Sequence, residues 1–458
     1  MNHVDVAVVG GGPAGTSAAE RAASEGASTV VFESGVPRAD RDRLGPDSTD
    51  AAGFLDYWVD IAGFDVDDLP EGVVQRELDD AEFIGPEESV TVDRTGIESS
   101  YDGFGFTFQR AKLDDWLRDR AEAAGADYRV GNSVTGVETD LSDGHEHTLT
   151  LSNGEEWTAE FVILADGPQR RVTIPVLDRF LPDDESASER LSPPETNHIA
   201  YQEYRTFPEG VLDQHSIKFW WGWMPGETAY PWVFPNADNV ARVGLTMPIG
   251  MDIDEVEKSD YRLLREDDES IPNGSEYIRR LLEDLYGDEY DIEADFPVVE
   301  EGYGKSKGTE TYSISSTRPI DSPTAAGIAV VGGAMGTTSA FHEGGDHVAI
   351  RTGKLAGELA ALDRLEAYND AWKDAIGDEI LRNVAIADVV ADYGPDEWDT
   401  TFRVCRQMLD SADSGKIVTR KNASVGLDGI RLYKAYKGAK FRYRKGKYTQ
   451  LREAEYRY

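Results

Sequence analysis

The feature that most constrains the fold of this chain is a run of glycines directly behind its first apolar segment. Residues 4–9, VDVAVV, predict a buried strand, and the Ala-rich stretch 14–26 predicts a helix. STVVFES, residues 28–34, predicts a second strand. This order is a βαβ unit, which implies a parallel sheet with a right-handed crossover. Between the first strand and the helix lies GGGPAG, whose glycines have the spacing G-x-G-x-x-G: Gly10, Gly12 and Gly15.

Glycines at this spacing bring a phosphate group close to the backbone. The first allows a tight turn, the second lets the backbone approach a pyrophosphate, and the third lets the helix pack closely on the strand. Glu33 ends the second strand, where a carboxylate accepts hydrogen bonds from a ribose diol. The sequence therefore predicts a dinucleotide site, and these residues alone leave FAD and NAD both open.

Composition narrows the class of protein and of partner. The chain has 458 residues, enough for two or three domains, and a net charge of −41 that disfavours nucleic acid. Acidic runs along the whole chain are typical of a halophilic cytoplasmic protein, and one cysteine allows no internal disulfide. We find no signal peptide and no run of 18 apolar residues, so we expect a cytoplasmic protein without a membrane span. We also expect no metal, because His342, Glu343 and His347 do not have H-E-x-x-H spacing.

The order of predicted elements suggests three regions. An amphipathic helix over 109–124 and hairpin strands over 128–164 follow the βαβ unit, and the polar stretch 181–197 predicts a linker. We predict an α/β fold with a Rossmann-like FAD-binding domain, an inserted antiparallel-sheet substrate domain and a mainly helical C-terminal region. The predicted boundaries are 1–190 with 319–365 for the first, 191–318 for the second, and 366–458 for the third, including a basic tail over 416–458.

Two later motifs favour FAD through a resemblance. FVILADG ends at Gly167, and GIAVVGGAMG spans 327–336. With the glycine fingerprint, they resemble the flavoproteins that include p-hydroxybenzoate hydroxylase and the geranylgeranyl reductases. The helix motif of that family, R-x-x-[FL]-D-x-x-L, is matched by Arg110, Leu113, Asp114 and Leu117. The resemblance implies FAD, held by Gly10, Gly12, Pro13, Ala14, Gly15, Glu33, Arg110, Asp166, Gly167, Gly332, Gly333, Gly344 and Gly345.

A narrower resemblance, to the geranylgeranyl reductases, covers about residues 1–365. Residues 331–357, VGGAMGTTSAFHEGGDHVAIRTGKLAG, align without a gap to the family motif VGDAAG-x-x-NPLTGGGI-x-x-A-x-x-SGKLAA. The family aspartate, which contacts the ribityl chain, falls on Gly333, and the first glycine of the triple falls on Glu343. Losing one charge-assisted hydrogen bond costs about 1.5–3 kcal/mol, which weakens FAD binding without abolishing it. By the resemblance, Gly344 and Gly345 open a helix whose amides face the N1–O2 edge of the flavin.

The substrate side carries an aromatic signature. YPWVFP matches the family pattern Y-x-W-x-F-P, and residues two apart in a strand share one face. We therefore expect Tyr230, Trp232 and Phe234 to form a wall for a long apolar ligand, a prenyl chain by the resemblance. The predicted substrate-binding residues are Trp221, Trp223, Tyr230, Trp232, Phe234 and Pro235. His342 and Glu343 are the candidate catalytic acids beside the flavin.

The resemblance implies an FAD-dependent reductase of carbon–carbon double bonds in isoprenoid chains of lipids or quinones. The alternatives are a flavin monooxygenase that uses NAD(P)H and oxygen, and an altered flavoprotein that only binds prenyl lipid. The electron donor would be a ferredoxin or NAD(P)H.

The basic tail contrasts with the rest of the chain. Residues 416–458 hold 13 Lys and Arg against three Asp and Glu, a net of +10, whereas the preceding 415 residues carry −51. Cations alternate with aromatic residues in KAYKGAKFRYRKGKY, residues 434–448. Such a segment can bind an anionic membrane at the inner face, receive an acidic electron donor, or fold back onto the acidic body of the protein.

Overall fold

A computed structural model describes residues 2–35, 52–300, 307–414 and 423–458. Within these ranges, only the backbone is described for residues 410–414 and 423–428. The strands are β1 (Asn2–Val9), β2 (Thr29–Glu33), β3 (Gly53–Leu55), β4 (Val74–Leu78), β5 (Asp80–Ile84), β6 (Ser89–Val92), β7 (Gly105–Phe108), β8 (Asp127–Val130), β9 (Val134–Asp140), β10 (Glu146–Leu151), β11 (Glu156–Leu164), β12 (His198–Thr206), β13 (Ser216–Trp220), β14 (Tyr230–Pro235), β15 (Val240–Pro248), β16 (Thr309–Ile314) and β17 (Ile328–Val330).

The helices are α1 (Pro13–Ser24), α2 (Asp56–Ala62), α3 (Arg110–Ala124), α4 (Thr173–Asp178), α5 (Ala187–Arg190), α6 (Gly274–Tyr286), α7 (Ile292–Asp295), α8 (Gly332–Met335), α9 (Asp346–Ala361), α10 (Tyr368–Val390), α11 (Pro395–Ser414) and α12 (Ala423–Tyr443). Short 3₁₀ turns cover Val66–Asp68, Ile253–Glu255, Lys258–Asp260, Thr324–Ala326, Leu365–Ala367 and Glu453–Glu455. In these described segments, no helix is long and apolar enough to cross a bilayer.

The first sheet contains the predicted βαβ unit. Its order is β8-β2-β1-β11-β10-β9, and β17 pairs with the C-terminal half of β11. The strands β8, β2, β1, β11 and β17 run parallel, with Val6 beside Thr29 on one side and Phe161 on the other. The interior positions of β1, β2 and β11 are buried apolar residues because helices cover both faces. The predicted Rossmann-like fold is confirmed.

The second sheet has the order β16-β12-β15-β14-β13-β5-β6 and is antiparallel except between β13 and β5. The strands β12 to β16 lie within residues 191–318, the range predicted for the inserted domain. The other two strands, β5 and β6, come from residues 80–92 and therefore precede the predicted boundary at 191. Sequence periodicity does not reveal this pairing, because both strands are short and join an edge whose partner is more than 100 residues away. A third sheet has the order β3-β7-β4, and its strands lie on both sides of β5 and β6 in the sequence.

Close contact between α1 and α9 ties the glycine motif to the later motif. A Cβ added to Gly353 would lie 2.0 Å from the carbonyl oxygen of Ala14, and one added to Gly357 would lie 2.1 Å from that of Ala18. Both glycines lie on the face of α9 that meets α1, one turn apart, so the two helix backbones approach without intervening side chains. This contact fixes the N-terminal end of α9 beside the first βα turn.

The C-terminal region folds back onto the body of the protein. Asp388 of α10 accepts hydrogen bonds from Arg442 and from the Tyr443 hydroxyl. Beyond α12, Tyr448 and Leu451 are buried against the first domain, and the Tyr456 hydroxyl donates to the carbonyl of Asp321 over 2.7 Å. These residues of the predicted tail therefore pack on the body of the protein, and residues 416–422 of the tail lie outside the described residues.

A substitution at the helix contact tests its importance for stability. Gly353→Ala adds a methyl group where a backbone oxygen already lies, so we expect the free energy of unfolding to fall by about 1–3 kcal/mol. Gly438→Ala is the matched control, because a Cβ there meets no atom within 4 Å and α12 should gain about 0.5–1 kcal/mol. Thermal or urea unfolding measures both, and equal stabilities for the two variants would contradict the close contact.

Candidate functional site

One continuous cleft of about 990 Å³ runs from the first βα turn to the face of the second sheet. Its volume is at the upper end of the range typical of small-molecule and cofactor sites. The end near β1 and β2 is lined mainly by backbone and small residues, and the far end is lined by aromatic rings. The cleft therefore has a narrow polar end near β1 and β2 and an apolar end at the second sheet.

The three glycines of the first turn have different surroundings. Gly10 has φ +102°, and a Cβ there would lie 2.3 Å from the Ala165 carbonyl oxygen. A Cβ on Gly15 would lie 1.9 Å from the Gly10 carbonyl oxygen, so this glycine is required by the packing of α1 on β1. A Cβ on Gly12 would meet nothing within 4 Å and would point into open space at the N-terminus of α1. The space in front of Gly12 is where a phosphate group can reach the helix N-terminus.

Glu33 and Tyr128 hold this turn in place. The two carboxylate oxygens of Glu33 accept hydrogen bonds from the backbone N–H groups of Gly11 and Gly35, each over 2.6 Å. The Tyr128 hydroxyl donates to the Gly11 carbonyl over 2.7 Å. Glu33 also lines the cleft, so its carboxylate both orders the turn and faces the position expected for a ribose.

Arg110 is buried beside the cleft and is held by two carboxylates. Its Nε donates to Asp114 over 2.8 Å, and its Nη1 lies 3.0 Å from Asp346 at the start of α9. The family motif on α3 thus connects to the later motif, because Asp346 replaces an apolar residue of that motif. The arrangement places a fixed cationic group against the middle of the cleft.

The strand ends of β11 and β17 form the floor of the cleft. Asp166 lines the cleft, and its carboxylate accepts hydrogen bonds from the backbone N–H groups of Val172 and Thr173 at the start of α4. Gly167 and Gly333 line the cleft, and a Cβ on Gly333 would lie 3.3 Å from Pro168. Behind Gly333, the buried Arg170 donates to the carbonyl oxygens of Gly333 and Ala334. Burial lowers the pKa of Arg170 to about 10, although Asp166 acts in the opposite direction.

The second sheet is clamped onto the loop that precedes α9. The Tyr230 hydroxyl of β14 donates to the carbonyl of His342 over 2.9 Å. The Thr246 hydroxyl of β15 donates to Glu343 Oε2 over 2.5 Å, and His198 Nε2 of β12 lies 3.6 Å from Glu343 Oε1. The loop between α8 and α9 therefore belongs structurally to both halves of the cleft.

Glu343 is buried and has an unusual backbone conformation. Its φ is +59°, a left-handed conformation that costs a non-glycine residue about 1–2 kcal/mol. Its side chain is 3% exposed and lines the cleft. Burial raises the pKa of the Glu343 carboxyl, and His198 and the two threonine hydroxyls Thr246 and Thr228 partly oppose this shift.

A polar cluster supports the other side of the same loop. The Trp58 ring of α2 stacks on His347 at 4.2 Å and on His342 at 5.1 Å. Burial lowers the pKa of both histidines to about 3, and the nearby Arg382 acts in the same direction. Both imidazoles are therefore neutral at neutral pH.

The aromatic end of the cleft is the face that the sequence predicted. Tyr230, Trp232 and Phe234 all face the cleft, whereas Val233 between them packs in the core on the opposite side of the sheet. Trp221 stacks on Tyr230 at a ring-centroid distance of 4.2 Å. Further apolar lining comes from residues that include Phe83, Phe104, Phe219 and Ile386.

Most predicted site residues line this cleft, and four do not. Gly15 and Gly332 are taken up by helix packing. Trp223 lies in the opposite core, where its Nε1 donates to the Gly85 carbonyl over 3.0 Å, and Pro235 ends β14 beside Thr107. Lining residues that sequence reasoning missed include Trp58, Arg382 and Asn383. They lie in α2 and α10, which carry no motif, so no local signal marks them.

The described residues show no group of three or more His, Cys, Asp or Glu side chains arranged to hold a metal ion.

This chain is similar to known FAD-dependent proteins. The family model described as FAD dependent oxidoreductase matches residues 5–167. The chain is 25% identical to the digeranylgeranylglycerophospholipid reductase of Methanocaldococcus jannaschii, over 92% of this chain and 95% of the relative. This chain is a geranylgeranyl reductase-like FAD-dependent oxidoreductase.

Solved structures agree with the fold of this flavoprotein. A geranylgeranyl bacteriochlorophyll reductase-like protein from Thermoplasma acidophilum has a TM-score of 0.68 at 20% identity, covering 96% of this chain and all of that chain. An anhydrotetracycline hydroxylase from Streptomyces rimosus has a TM-score of 0.52 at 16% identity, covering 95% of this chain and 76% of that one. The same fold thus occurs in proteins named as reductases and as hydroxylases.

The residues of the cleft fit FAD. The open space before Gly12 suits a pyrophosphate, and Glu33 lies at the ribose end. Arg110 lies between this region and the loop that precedes α9. Gly344 and Gly345 place backbone and no side chain against the cleft at the N-terminus of α9, where the helix dipole favours negative charge.

Filling the space in front of Gly12 should remove FAD without unfolding the chain. Gly12 has φ −74°, which any residue can adopt, so Gly12→Val should keep the free energy of unfolding of the apoprotein. We expect FAD affinity to fall by roughly tenfold or more, or about 1.4 kcal/mol, because the valine side chain occupies the phosphate position. Titration of the apoprotein by quenching of flavin fluorescence measures the affinity.

Gly136→Val is the matched control for this substitution. Gly136 lies on β9, a Cβ there also meets nothing within 4 Å, and the residue does not line the cleft. Unchanged FAD affinity in Gly12→Val would contradict this placement of the pyrophosphate.

Proposed function

We propose that this flavoprotein reduces carbon–carbon double bonds in the isoprenoid chains of lipids or quinones. The observation that carries the proposal is the continuity of the cleft, in which the dinucleotide turn and a wall of aromatic rings share one open space. A long apolar chain buries its area against such a wall without needing hydrogen bonds. The reductase from Methanocaldococcus jannaschii matches this chain over nearly the whole length of both proteins, which includes both halves of the cleft.

The protein's contribution to this reaction is binding, orientation and a proton. FAD, when bound in its reduced form, would supply the hydride for one alkene carbon. Tyr230, Trp232 and Phe234 hold the apolar chain on one side, and the clamped loop before α9 fixes its distance from the cofactor side of the cleft. A side chain lining the cleft then provides the proton for the other alkene carbon.

Glu343 suits the proton-donor role better than His342. A carboxyl whose pKa is raised by burial keeps its proton to higher pH, whereas an imidazole with a pKa of about 3 carries no extra proton at neutral pH. His342 instead accepts a hydrogen bond from the Gly344 N–H at Nδ1 over 3.2 Å, which shapes the loop. Glu343 is the proposed acid and His342 its structural neighbour.

Two alternatives have specific support. The fold is shared with a hydroxylase, so a monooxygenase that uses NAD(P)H and oxygen is the second candidate. Gly333 stands where the family motif has an aspartate, which supports a third possibility, a flavoprotein that only binds prenyl lipid. The cleft beside Gly333 keeps the other cofactor-facing residues, which favours the enzyme.

We infer that the enzyme is cytoplasmic and meets its lipid substrate at an anionic membrane surface. Exposed residues of α12 on one face include Ile430, Tyr433, Lys437 and Phe441, and Lys437 lies over the Tyr433 ring. Basic residues attract anionic headgroups, and aromatic rings insert at headgroup depth. Salt screens this attraction, so binding to anionic vesicles should fall as salt rises, and salt-independent binding would contradict an electrostatic contact. A ferredoxin or NAD(P)H is the proposed electron donor.

Anaerobic turnover tests the proposed reaction. FAD-loaded protein, dithionite and a geranylgeranyl lipid should give products heavier by two hydrogens for each bond reduced, measured by mass spectrometry. Reduced flavin with no mass shift would overturn the substrate assignment. Oxygen uptake coupled to NADPH oxidation on adding substrate would favour the hydroxylase, and a chain that cannot be reconstituted with FAD would favour the lipid-binding protein.

Two neighbouring residues of β14 provide a matched pair for this assay. Trp232→Ala removes a ring from the wall, and we expect KM for the lipid to rise roughly tenfold, because its apolar burial is lost. Val233→Ala removes a side chain on the opposite face of the same strand, so stability should fall while KM stays the same. Equal KM values for both variants would place the substrate elsewhere.

A further inference from the structure

The loop that carries Glu343 meets an unusual partner on the second sheet. Thr228 precedes β14, has φ +52°, and directs its hydroxyl to Glu343 Oε1 over 3.4 Å. A β-branched residue rarely adopts a left-handed conformation, and Glu343 itself has φ +59°. Two non-glycine residues with left-handed backbone conformations are therefore joined by a hydrogen bond to the Glu343 carboxyl. Such strain persists where the surrounding structure imposes it, and it is concentrated at functional sites.

Three residues of the second sheet and its loops surround the Glu343 carboxyl. Thr246 of β15 donates to Oε2, Thr228 donates to Oε1, and His198 of β12 lies 3.6 Å from Oε1. The titratable groups that face Glu343 are His198 and Tyr230, and the Tyr230 hydroxyl is committed to the His342 carbonyl. His198 is thus the titratable side chain of β12 that faces the Glu343 carboxyl.

His198 is buried and only partly satisfied. It is 3% exposed, and its Nε2 lies 3.0 Å from the carbonyl oxygen of Glu227, which assigns the proton to Nε2 in the neutral ring. Its Nδ1 is buried and has no hydrogen-bond partner among the described residues. The ring thus lies beside the Glu343 carboxyl with its Nε2 3.6 Å from Oε1.

We propose that His198 and Thr246 position the Glu343 carboxyl as the proton donor to the substrate and stabilise the carboxylate that it leaves. This inference rests on the proposed reductase function and adds its proton supply. In the step, the O–H bond of Glu343 breaks and a C–H bond forms at one alkene carbon. The hydride supplied by reduced flavin brings both electrons to the other carbon, so one molecule of H₂ is added overall. Glu343 then regains a proton from solvent.

This device belongs to the present chain rather than to the motif it resembles. The motif has glycine at the position of Glu343, and glycine adopts positive φ at no cost. Here a residue with a carboxyl occupies that position, and the three strand residues supply its contacts. Glu343 touches the cleft and is the catalytic residue of the proposal, whereas His198 and Thr246 act through it and are positioning residues.

The test combines infrared titration of the holoenzyme with the pH profile of anaerobic turnover. In wild type the band of the protonated carboxyl should persist to higher pH than that of an exposed glutamate, because burial raises the pKa of Glu343, and Glu343→Gln should lack the band. Thr246→Val and His198→Gln remove contacts that lower the pKa of Glu343, so the band should titrate at higher pH in both. Turnover requires the protonated acid and falls as pH rises through its pKa, so the alkaline limb should move upward by the same interval as the infrared midpoint.

Kinetic constants separate this role from a structural one. Glu343→Gln should lower kcat by roughly 100-fold with KM and FAD affinity within about twofold. The control is Glu310→Gln on β16, a buried carboxyl of the same sheet that does not line the cleft, which should leave the pH profile unchanged. Wild-type kcat in Glu343→Gln, or an alkaline limb that does not move in Thr246→Val and His198→Gln, would overturn the inference.

The inference can fail separately from the proposed function. If the wild type reduces no isoprenoid chain, the proposed function fails. In that case the infrared titration still tests the contacts of the carboxyl, and a Glu343 band that titrates no higher than that of an exposed glutamate, or that does not respond to His198→Gln, overturns the inference. If the wild type is active and Glu343→Gln is equally active, the function stands and the inference alone is rejected.

Discussion

The hydrogen bonds between the second sheet and the loop before α9 are the constraint on which the site depends. Tyr230 holds the His342 carbonyl, and Thr246 holds the Glu343 carboxyl, so two separately formed sheets share one loop. Without these contacts the dinucleotide turn and the aromatic wall would be independent surfaces. With them, the cofactor side and the substrate side lie at a fixed separation, which hydride transfer requires.

The two halves of the cleft use different physical means. On the cofactor side the chain offers backbone and small residues, since side chains at Gly10 and Gly15 would collide with backbone oxygens and Gly12 borders open space. In the close contact between α9 and α1, side chains at Gly353 and Gly357 would likewise collide with backbone oxygens. On the substrate side large rings supply apolar area and few directional contacts. The first arrangement selects a cofactor by shape, and the second accepts a class of ligands by hydrophobic burial.

The parts of the site that local patterns encode were predictable. The glycine turn, Glu33, Arg110 and the alternating face of β14 follow from spacing along single elements, and all of these line the cleft or its support. Trp223 shows the limit of that reasoning, because it lies beyond the end of β13, where the alternation of strand faces no longer applies, and packs in the opposite core. Trp58 and Arg382 had no local signal, since helix–helix packing alone brings them to the cleft.

The sequence by itself determined the βαβ unit, the dinucleotide-binding turn and the strand that presents three rings, because each depends on neighbours a few residues apart. Only the tertiary structure decided that β5 and β6 complete the second sheet and that α10 supports the loop before α9. It also decided which acid is buried: Glu343 looked like a departure from a glycine motif, and its contacts with His198, Thr228 and Thr246 come from residues about 100 or more positions away. Burial and charge at one carboxyl are sums over such distant neighbours, so no local pattern contains them.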